Sequence, residues 1–426
     1  MAALPAPHHL FQGLRRAAIS APLLSRRGIL ATALALPAAA DLIPSARAAG
    51  AGLPARDEFA VGDLHHLDAG TMHPMSKGAK AAIGRYLDSR SLDGTNPYDR
   101  KLDEDVQALF ARLINADPAE VAYVQSTTTG ENLVVQALDL ANRKGRIVVD
   151  TLHFFGSFYL YQELARKGLD IVWLKDRDGR IPLSDYKAAI TPGTLFVAVS
   201  STSTINGYQA DLKRICEMAH AVGAYVYADI IHSAGCTPFD VKASGVDFAA
   251  TASYKWLMGD FGLGFLYVAK DVQPKLTRSV FGYYQLDQFQ THLYPFDPPG
   301  ESIADYAPSD DAGGLFAIGT HAHTVGAQLK HSLQYLLDLG IDRIEAARQP
   351  LIEKLKGELP KRGYQMLTPP DSTSPLVACA YQDARALSDR LAARKVKISL
   401  SRNRFRLSVA AYNSMDDIDA FLDALG

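Results

Sequence analysis

The feature that most constrains this chain is a regular alternation of short apolar runs and amphipathic helical patterns that begins near residue 121. Five of the runs predict buried strands, namely Val121–Val124, Ile147–Val149, Ile171–Leu174, Leu195–Val199 and Tyr225–Ala228. Segments of helical periodicity separate them, namely Glu131–Asn142, Ser157–Lys167, Leu183–Ile190 and Leu212–Ala221. Two further strands are predicted at Val246–Ala250 and Leu263–Ala269. The pattern predicts an α/β fold in which a mostly parallel seven-stranded sheet is covered by helices on both faces.

The alternation stops at Gly282–Gly314, a segment rich in Tyr, Phe, Pro and Gly in which no period is visible. A loop this long in a compact protein is usually functional or disordered, and its many aromatic residues argue against disorder. A helical pattern then runs from Thr320 to about Arg348, and a compact α+β segment follows it. Its predicted strands and helices are Leu376–Tyr381, Val396–Leu400, Phe405–Val409, Arg385–Arg394 and Met415–Leu425.

The first 48 residues differ from the rest, because they contain five arginines, no lysine and a single acid. Arg26 and Arg27 precede an uncharged Ala/Leu-rich run, and Ala46-Arg47-Ala48 supplies a small-x-small cleavage site. This order resembles a twin-arginine export signal, with a flexible tail, a short anchor and an organellar transit peptide as alternatives. We predict a signal over 1–48, an N-terminal segment over 49–75, a large domain over 76–319, and a linking helix and small C-terminal domain over 320–426.

Composition excludes several classes of function. The 426 residues carry a formal charge of −2 and show no long run of like charges, so no footprint for nucleic acid is present. No apolar stretch reaches the ~20 residues needed to span a bilayer. The cysteines Cys216, Cys236 and Cys379 are too few and too scattered for a disulfide framework or a metal knuckle. His321-Ala-His323 lacks acidic or thiol companions in sequence, so we expect no metal site.

The segment Ser126–Asn132 lies where a predicted strand ends and a helix begins. Hydroxyl groups and free backbone N–H groups at such a junction form a phosphate cradle, aided by the helix dipole. Thr128 and Glu131 also have the spacing of a capping box, so a well-capped helix is the alternative. The chain contains no G-x-x-x-x-G-K-[ST] and no strand-linked G-x-G-x-x-G, so nucleotide binding has no support.

Two charged residues follow predicted strands of the sheet. Asp229 lies at a carboxyl end, where ligand sites of open α/β sheets occur, and it either caps the next turn or pairs with a positive ligand atom. Lys255 lies in the apolar segment Ser253–Gly259. Burial would lower the pKa of this lysine and make it a Schiff-base nucleophile. The alternative is a lysine that snorkels to the surface.

In this order and spacing, the three segments resemble fold-type-I pyridoxal-phosphate (PLP) enzymes of the class V aminotransferase family. That family includes cysteine desulfurases, isopenicillin N epimerase-like proteins and kynureninase, and the resemblance covers residues 60–426. It implies PLP as the cofactor, with Thr127 and Thr128 at the phosphate. Asp229 would pair with the pyridinium nitrogen, His232 would approach the ring 3-oxygen, and Lys255 would bind the cofactor covalently.

The resemblance also implies further contacts. An aromatic residue or histidine after the second strand stacks on the cofactor in the family, and here His153 is preferred to Phe154. Thr320 matches the position where a partner subunit contacts the phosphate, so a homodimer is implied. Arg406 matches the arginine that binds a substrate carboxylate. The predicted cofactor contacts also include Ser253, Tyr254 and Thr204.

The chain departs from the family at informative positions. Many relatives have His directly before the lysine, where this chain has Tyr254 as in kynureninase-like members, and Asn where it has Thr204. Cysteine desulfurases need a nucleophilic cysteine in the loop before the C-terminal arginine, and the corresponding residues 393–404 contain none. Cys379 lies in an apolar predicted strand and is interpreted as a buried small hydrophobe.

The expected function is therefore a periplasmic PLP enzyme that acts on the amine-bearing carbon of an amino acid or a peptidic amine. The twin-arginine translocase would export it folded, and with such a signal it is similar to periplasmic PLP enzymes that modify pyoverdine siderophores. Transamination or oxidative amine conversion competes with C–S or β-elimination and with epimerisation. A non-catalytic binding protein on the same fold and an α/β hydrolase are the alternatives from other classes, although no G-x-S-x-G elbow is present.

Overall fold

The computed structural model describes residues 52–92 and 100–426. The predicted export signal lies outside the described residues. Across the described part of the chain, no helix combines the length and the apolar character that a membrane crossing requires.

The strands are numbered in chain order, and seven of them form the central sheet. The strands are β1 (His65–His66), β2 (Val121–Val124), β3 (Arg146–Asp150), β4 (Asp170–Leu174), β5 (Thr194–Ser200), β6 (Tyr225–Asp229), β7 (Phe248–Ala252), β8 (Gly264–Val268), β9 (Leu286–Thr291), β10 (Ala304–Pro308), β11 (Gln365–Met366), β12 (Leu376–Ala380), β13 (Val396–Lys397), β14 (Ser399–Leu400) and β15 (Arg404–Ser408). The central sheet has the order β2-β8-β7-β6-β5-β3-β4, and only β8 runs antiparallel to its neighbours. The predicted mostly parallel seven-stranded sheet is confirmed.

The helices connect and cover these strands. They are α1 (Lys77–Leu92), α2 (Arg100–Leu113), α3 (Thr127–Ala137), α4 (Phe158–Arg166), α5 (Leu183–Ala189), α6 (Leu212–His220), α7 (Val241–Ser244), α8 (Ala312–Phe316), α9 (His323–Leu339), α10 (Ile341–Lys361), α11 (Ser388–Ala393) and α12 (Met415–Leu425). Because successive strand residues point to opposite faces, β5 contributes side chains to two hydrophobic cores. Val197 and Val199 join one cluster, whereas Phe196 and Ala198 join the other.

A second, antiparallel sheet of order β11-β12-β15-β14 lies in the C-terminal part of the chain. The N-terminal segment packs with this part, because β1 pairs in parallel with β13. Arg56 reinforces the contact by an ion pair with the buried carboxylate of Asp417 at 3.2 Å. The single strand predicted over Val396–Leu400 is wrong, since β13 pairs with β1 while β14 pairs with β15.

Two other predictions of local structure need correction. The single helical pattern from Thr320 is two helices, α9 and α10, because Gly340 between them has φ 82°, a left-handed value that interrupts a helix. The segment Gly282–Gly314 contains an antiparallel hairpin of β9 and β10. None of its strand residues is buried, so the strands lack the alternation of apolar and polar residues that reveals a half-buried strand.

Candidate active site

A chain of three side chains lies beyond the carboxyl ends of β6 and β7. Lys255 Nζ is 3.0 Å from His232 Nε2, and Trp256 Nε1 is 3.1 Å from His232 Nδ1. All three residues are buried, with Lys255 9% exposed. The short turn after β6 carries His232, and the segment after β7 carries both Lys255 and Trp256.

The hydrogen-bonding roles in this chain follow from the indole group. Trp256 Nε1–H can only donate, so His232 Nδ1 must accept. A neutral His232 then carries its proton on Nε2, and this N–H donates a hydrogen bond to Lys255 Nζ. Burial, together with the charges of Lys255 and Arg406, lowers the pKa of His232 well below its ordinary value, so the ring is neutral. An amine that accepts a hydrogen bond must itself be neutral.

The electrostatics of Lys255 favour that neutral amine. Burial and the nearby guanidinium of Arg406 lower its pKa to about 7, although Asp229 and Asp68 act in the opposite direction. The sequence-based expectation of a buried lysine with a lowered pKa is therefore met by the structure. A neutral, buried amine is a competent nucleophile toward a carbonyl group.

Asp229 ends β6 and is 5% exposed. Its Oδ1 accepts a hydrogen bond from the backbone N–H of Ile231 at 3.0 Å, so the carboxylate does cap the next turn. Burial raises its pKa, with His153 and the Ile231 amide partly opposing this effect. A buried carboxylate in this position would be stabilised by a positively charged ligand atom.

The start of α3 supplies the anion site. Ser126 is the N-cap, and its Oγ accepts from the backbone N–H of Thr129 at 3.1 Å, so the capping box expected of Thr128 and Glu131 is absent. The hydroxyl of Thr127 accepts from Ala252 N at 2.9 Å, which ties α3 to the end of β7. Thr128 is exposed. The free N–H groups of this first turn remain available to an anion.

His153 lies in a buried cluster of polar side chains. Its Nε2 is 3.0 Å from Glu131 Oε1 and its Nδ1 is 3.1 Å from Ser200 Oγ. Glu131 also accepts from Ser157 Oγ and Tyr161 OH, each at 2.5 Å. Burial opposes both charges, but their attraction outweighs it, so the pKa of His153 is raised and that of Glu131 is lowered. Both shifts favour a charged imidazolium–carboxylate pair.

Arg406 on β15 is held from two directions. One guanidinium nitrogen donates to Thr204 O at 3.0 Å and to Thr204 Oγ1 at 2.6 Å, and the other donates to Thr71 Oγ1 at 3.0 Å. Burial and the neighbouring Arg404 lower the pKa of Arg406 to about 10, with Asp68 opposing. Its Nε is buried and has no hydrogen-bond partner among the described residues. A carboxylate could use that unpaired donor.

The remaining predicted residues lie in different surroundings. Ser253 Oγ donates to Leu263 O at 2.6 Å, so it shapes the loop that carries the lysine. The ring of Tyr254 packs on Phe261 with centroids 4.6 Å apart. Thr320 is exposed, and its hydroxyl is 2.5 Å from that of Tyr283. Among the described residues, no hydrogen bond joins Thr320 to Lys255.

Sequence reasoning missed four residues that support the site. Glu131 could have been recognised because Thr127, Val134 and Val135, at helical spacing from it, form a buried face of α3. Trp256 directly follows Lys255 and had no distinguishing pattern. Asp68 and Thr71 come from the N-terminal segment, and they reach Arg406 only through the tertiary fold.

A sequence model of the family described as "Aminotransferase class-V" matches residues 98–421. The chain belongs to the class V aminotransferase family. This class V protein is 26% identical over 353 residues to YcbU of Bacillus subtilis, described as an uncharacterized aminotransferase, with 82% of this chain and 90% of that relative covered. It is 31% identical over 296 residues to a kynureninase of Bacillus cereus, with 66% of each covered. Its fold is similar to an apo cysteine desulfurase from Thermococcus onnurineus NA1, with TM-score 0.76, 20% identity, and 87% and 96% of the two chains covered.

The cofactor of this class V protein is pyridoxal 5'-phosphate, and the described residues fit it. The first turn of α3 offers donors for a phosphate, and Lys255 offers a buried neutral amine. Asp229 offers a buried carboxylate for the ring nitrogen. The close approach of α3 to the sheet is also part of the site, because a Cβ at Gly130 would lie 2.9 Å from Ala250 Cβ on β7.

Proposed function

We propose that this protein is a PLP-dependent enzyme that acts at the amine-bearing carbon of an amino acid or an amino-acid-like group, by transamination or oxidative amine conversion. The observation that carries the proposal is the buried Lys255 amine, which is hydrogen-bonded to His232 and whose pKa is lowered to about 7 by burial and by the guanidinium of Arg406. In this proposal, Lys255 anchors the cofactor and Arg406 binds the substrate carboxylate in the same site.

The chain's own groups have distinct tasks in this proposal. Bound PLP supplies an electron sink for charge that develops at the amine-bearing carbon. Lys255 would hold the cofactor, and as a free amine its Nζ would accept a proton from that carbon as a general base. Asp229 keeps the ring nitrogen protonated. Arg406 holds the substrate carboxylate and so orients the carbon toward Lys255.

A β-eliminating or C–S-cleaving lyase, or an epimerase, is the second candidate, since relatives include a kynureninase and fold neighbours include a cysteine desulfurase. Persulfide chemistry on a protein thiol is disfavoured by the cysteines. All three are buried, and burial raises the pKa of Cys379 and of Cys236 to about 12. Cys216 shows the same direction of shift. A thiol that stays protonated is a poor nucleophile.

The decisive experiment begins with the purified protein. Borohydride reduction should fix the cofactor mass on the peptide that contains Lys255, and Lys255→Ala should be colourless. Candidate amines are then tested with mass spectrometry of the products. Transamination requires a keto-acid acceptor and forms a new amino acid. Oxidative amine conversion releases ammonia and consumes an oxidant such as dioxygen, whereas elimination releases ammonia with neither an acceptor nor an oxidant. Epimerisation changes configuration alone. A wild-type protein that binds no PLP would overturn the proposal.

We also propose export by the twin-arginine route to the periplasm, with cleavage after Ala48. The support is the sequence order of Arg26-Arg27, apolar run and cleavage site. Replacing both arginines by lysine should leave uncleaved protein in the cytoplasm. Unchanged periplasmic protein in that variant would refute the route.

We further propose a homodimer. Its support is the hairpin of β9 and β10, which presents large apolar side chains to solvent, with Phe296 96% and Tyr306 68% exposed. Thr320, expected to reach a partner's phosphate, is exposed beside Tyr283. Sedimentation of the active protein should give twice the chain mass. Full activity in a monomer would contradict the proposal.

A further inference from the structure

Three potential metal ligands meet where α2 approaches the start of α9. Asp103 comes from α2, His321 lies two residues before α9, and His323 is the first residue of α9. One potential ligand atom from each side chain lies within 4.8 Å of the other two. Among the described residues, this is the one group of three such side chains with ligand atoms so close together.

The sequence-based expectation of no metal site depended on the absence of an acidic companion near His321 and His323. The fold supplies that companion from a position 218 residues earlier in the chain. Asp103 Oδ1 is 2.9 Å from His321 Nε2, and Asp103 Oδ2 is 3.9 Å from His323 Nε2. The carboxylate therefore faces both rings.

The surroundings hold these side chains in place and keep most water away. The side chains of Asp103, His321 and His323 are only 13%, 10% and 9% exposed. The ring of Tyr123 stacks on His321 with centroids 4.4 Å apart, and its hydroxyl donates to Asp103 O at 2.5 Å. His321 Nδ1 is buried without a hydrogen-bond partner among the described residues.

The two nearby lysines form ion pairs with a different carboxylate. Lys101 and Lys330 each lie 2.8 Å from an oxygen of Asp105, two residues after Asp103 on α2. Both lysines therefore pair with Asp105, whereas Asp103 faces the two histidines.

We propose that Asp103, His321 and His323 bind a divalent transition metal ion of the zinc type. Two imidazoles and one carboxylate are the ligand set that such ions accept, and three protein ligands leave a fourth position for water. Ligands of a tetrahedral zinc ion lie about 3.3 Å apart, given Zn–N bonds of about 2.0 Å. Small side-chain rotations would bring the three atoms from their present spacing to that one.

The metal would have a structural rather than a catalytic role. It would fasten the segment just before α9 to α2, and this segment carries Thr320, one residue from His321. The ring of His321 also contacts Tyr284, at a centroid distance of 5.9 Å, so the base of the hairpin would be fixed with it. The site is independent of the proposed reaction, since none of its three ligands contacts Lys255 in the described residues.

The test uses the PLP-loaded full protein after EDTA treatment and removal of free cofactor. Isothermal titration with Zn²⁺ should show one equivalent bound per chain, and Co²⁺ in the same site should give visible d–d absorption. Hydrogen exchange at the backbone amides of residues 317–322 should slow several-fold when Zn²⁺ is bound. Absence of stoichiometric binding to the wild-type protein overturns the proposal without reference to any variant.

Variants assign the site. His323→Gln and Asp103→Asn should each weaken Zn²⁺ binding at least tenfold and abolish the slowed exchange. His220→Asn is the matched control, because His220 Nε2 pairs with Asp247 at the same 2.9 Å but has no third ligand nearby among the described residues. It should bind Zn²⁺ like the wild type. Binding that survives in both ligand variants, or that is lost in the control, contradicts the assignment, as does binding without any change in exchange.

Discussion

Replacing Trp256 by Phe should raise the pKa of Lys255. The indole N–H fixes His232 as a donor toward the amine, and this arrangement favours the neutral form of the lysine. Phenylalanine removes that donor, so His232 can take the other tautomer and accept a hydrogen bond from a charged Lys255. A hydrogen bond to a charged group contributes about 1.5–3 kcal/mol, which corresponds to about 1–2 pKa units.

The rate of cofactor loading as a function of pH reports this pKa. With a pKa of about 7, half of the Lys255 amine is neutral at pH 7, compared with roughly one part in 3,000 for a lysine at its ordinary value of 10.5. The wild-type rate should therefore rise about tenfold from pH 6 to pH 8 and then level off. In Trp256→Phe, the midpoint of the rise should move to roughly pH 8 to 9, and the plateau should begin at roughly pH 9 to 10.

Two controls isolate the effect. Loading is compared with the reaction of PLP and Nα-acetyl-lysine at each pH, which removes the titration of the cofactor itself. Trp173→Phe changes the other tryptophan of the chain, which packs against Phe158 and Tyr161 rather than against His232. Equal plateaus in wild type and Trp256→Phe would refute the tautomer reasoning, as would a wild-type rate that still rises tenfold per pH unit up to pH 10.

Three further outcomes are expected. Glu131→Ala strands a buried imidazolium and should lower the free energy of unfolding in urea by about 3–5 kcal/mol. Because the folded-state pKa of His153 is raised, the stabilisation exists below the ordinary histidine pKa and is lost as pH rises through the folded value, so the difference should shrink at alkaline pH. Arg406→Lys should keep the cofactor colour yet lower kcat/KM by the equivalent of about 2–5 kcal/mol, and wild-type turnover would contradict carboxylate binding. Cys379→Ser should retain turnover, and its loss in folded, PLP-loaded protein would revive persulfide chemistry.

The sheet could be predicted from sequence because its strands are buried on both faces, so each appears as an apolar run. Val121–Val124 was predicted with its observed limits, and the other strands differ by one or two residues. The exposed hairpin and the break at Gly340 could not be found in this way. Hydrophobic periodicity reports burial, and a solvent-exposed strand or a single left-handed glycine barely changes it.

The same distinction applies to the sites. Lys255 and Asp229 stand out because a charge is rare in a buried run. Thr71 and Asp103 carry no such signal, since each becomes meaningful only beside Arg406 or His321 in the folded chain. Contacts between residues hundreds of positions apart are set by topology, which local patterns do not contain.

The pairing of β1 with β13 has a consequence for synthesis on the ribosome. About 330 residues separate His65 from its partner Val396, and a ribosome adds roughly 5–20 residues per second. The first strand to emerge therefore waits roughly 15–70 s for the strand that completes it. Nascent chains stalled before Val396 has left the exit tunnel should be cleaved readily near residue 65, whereas released chains should resist.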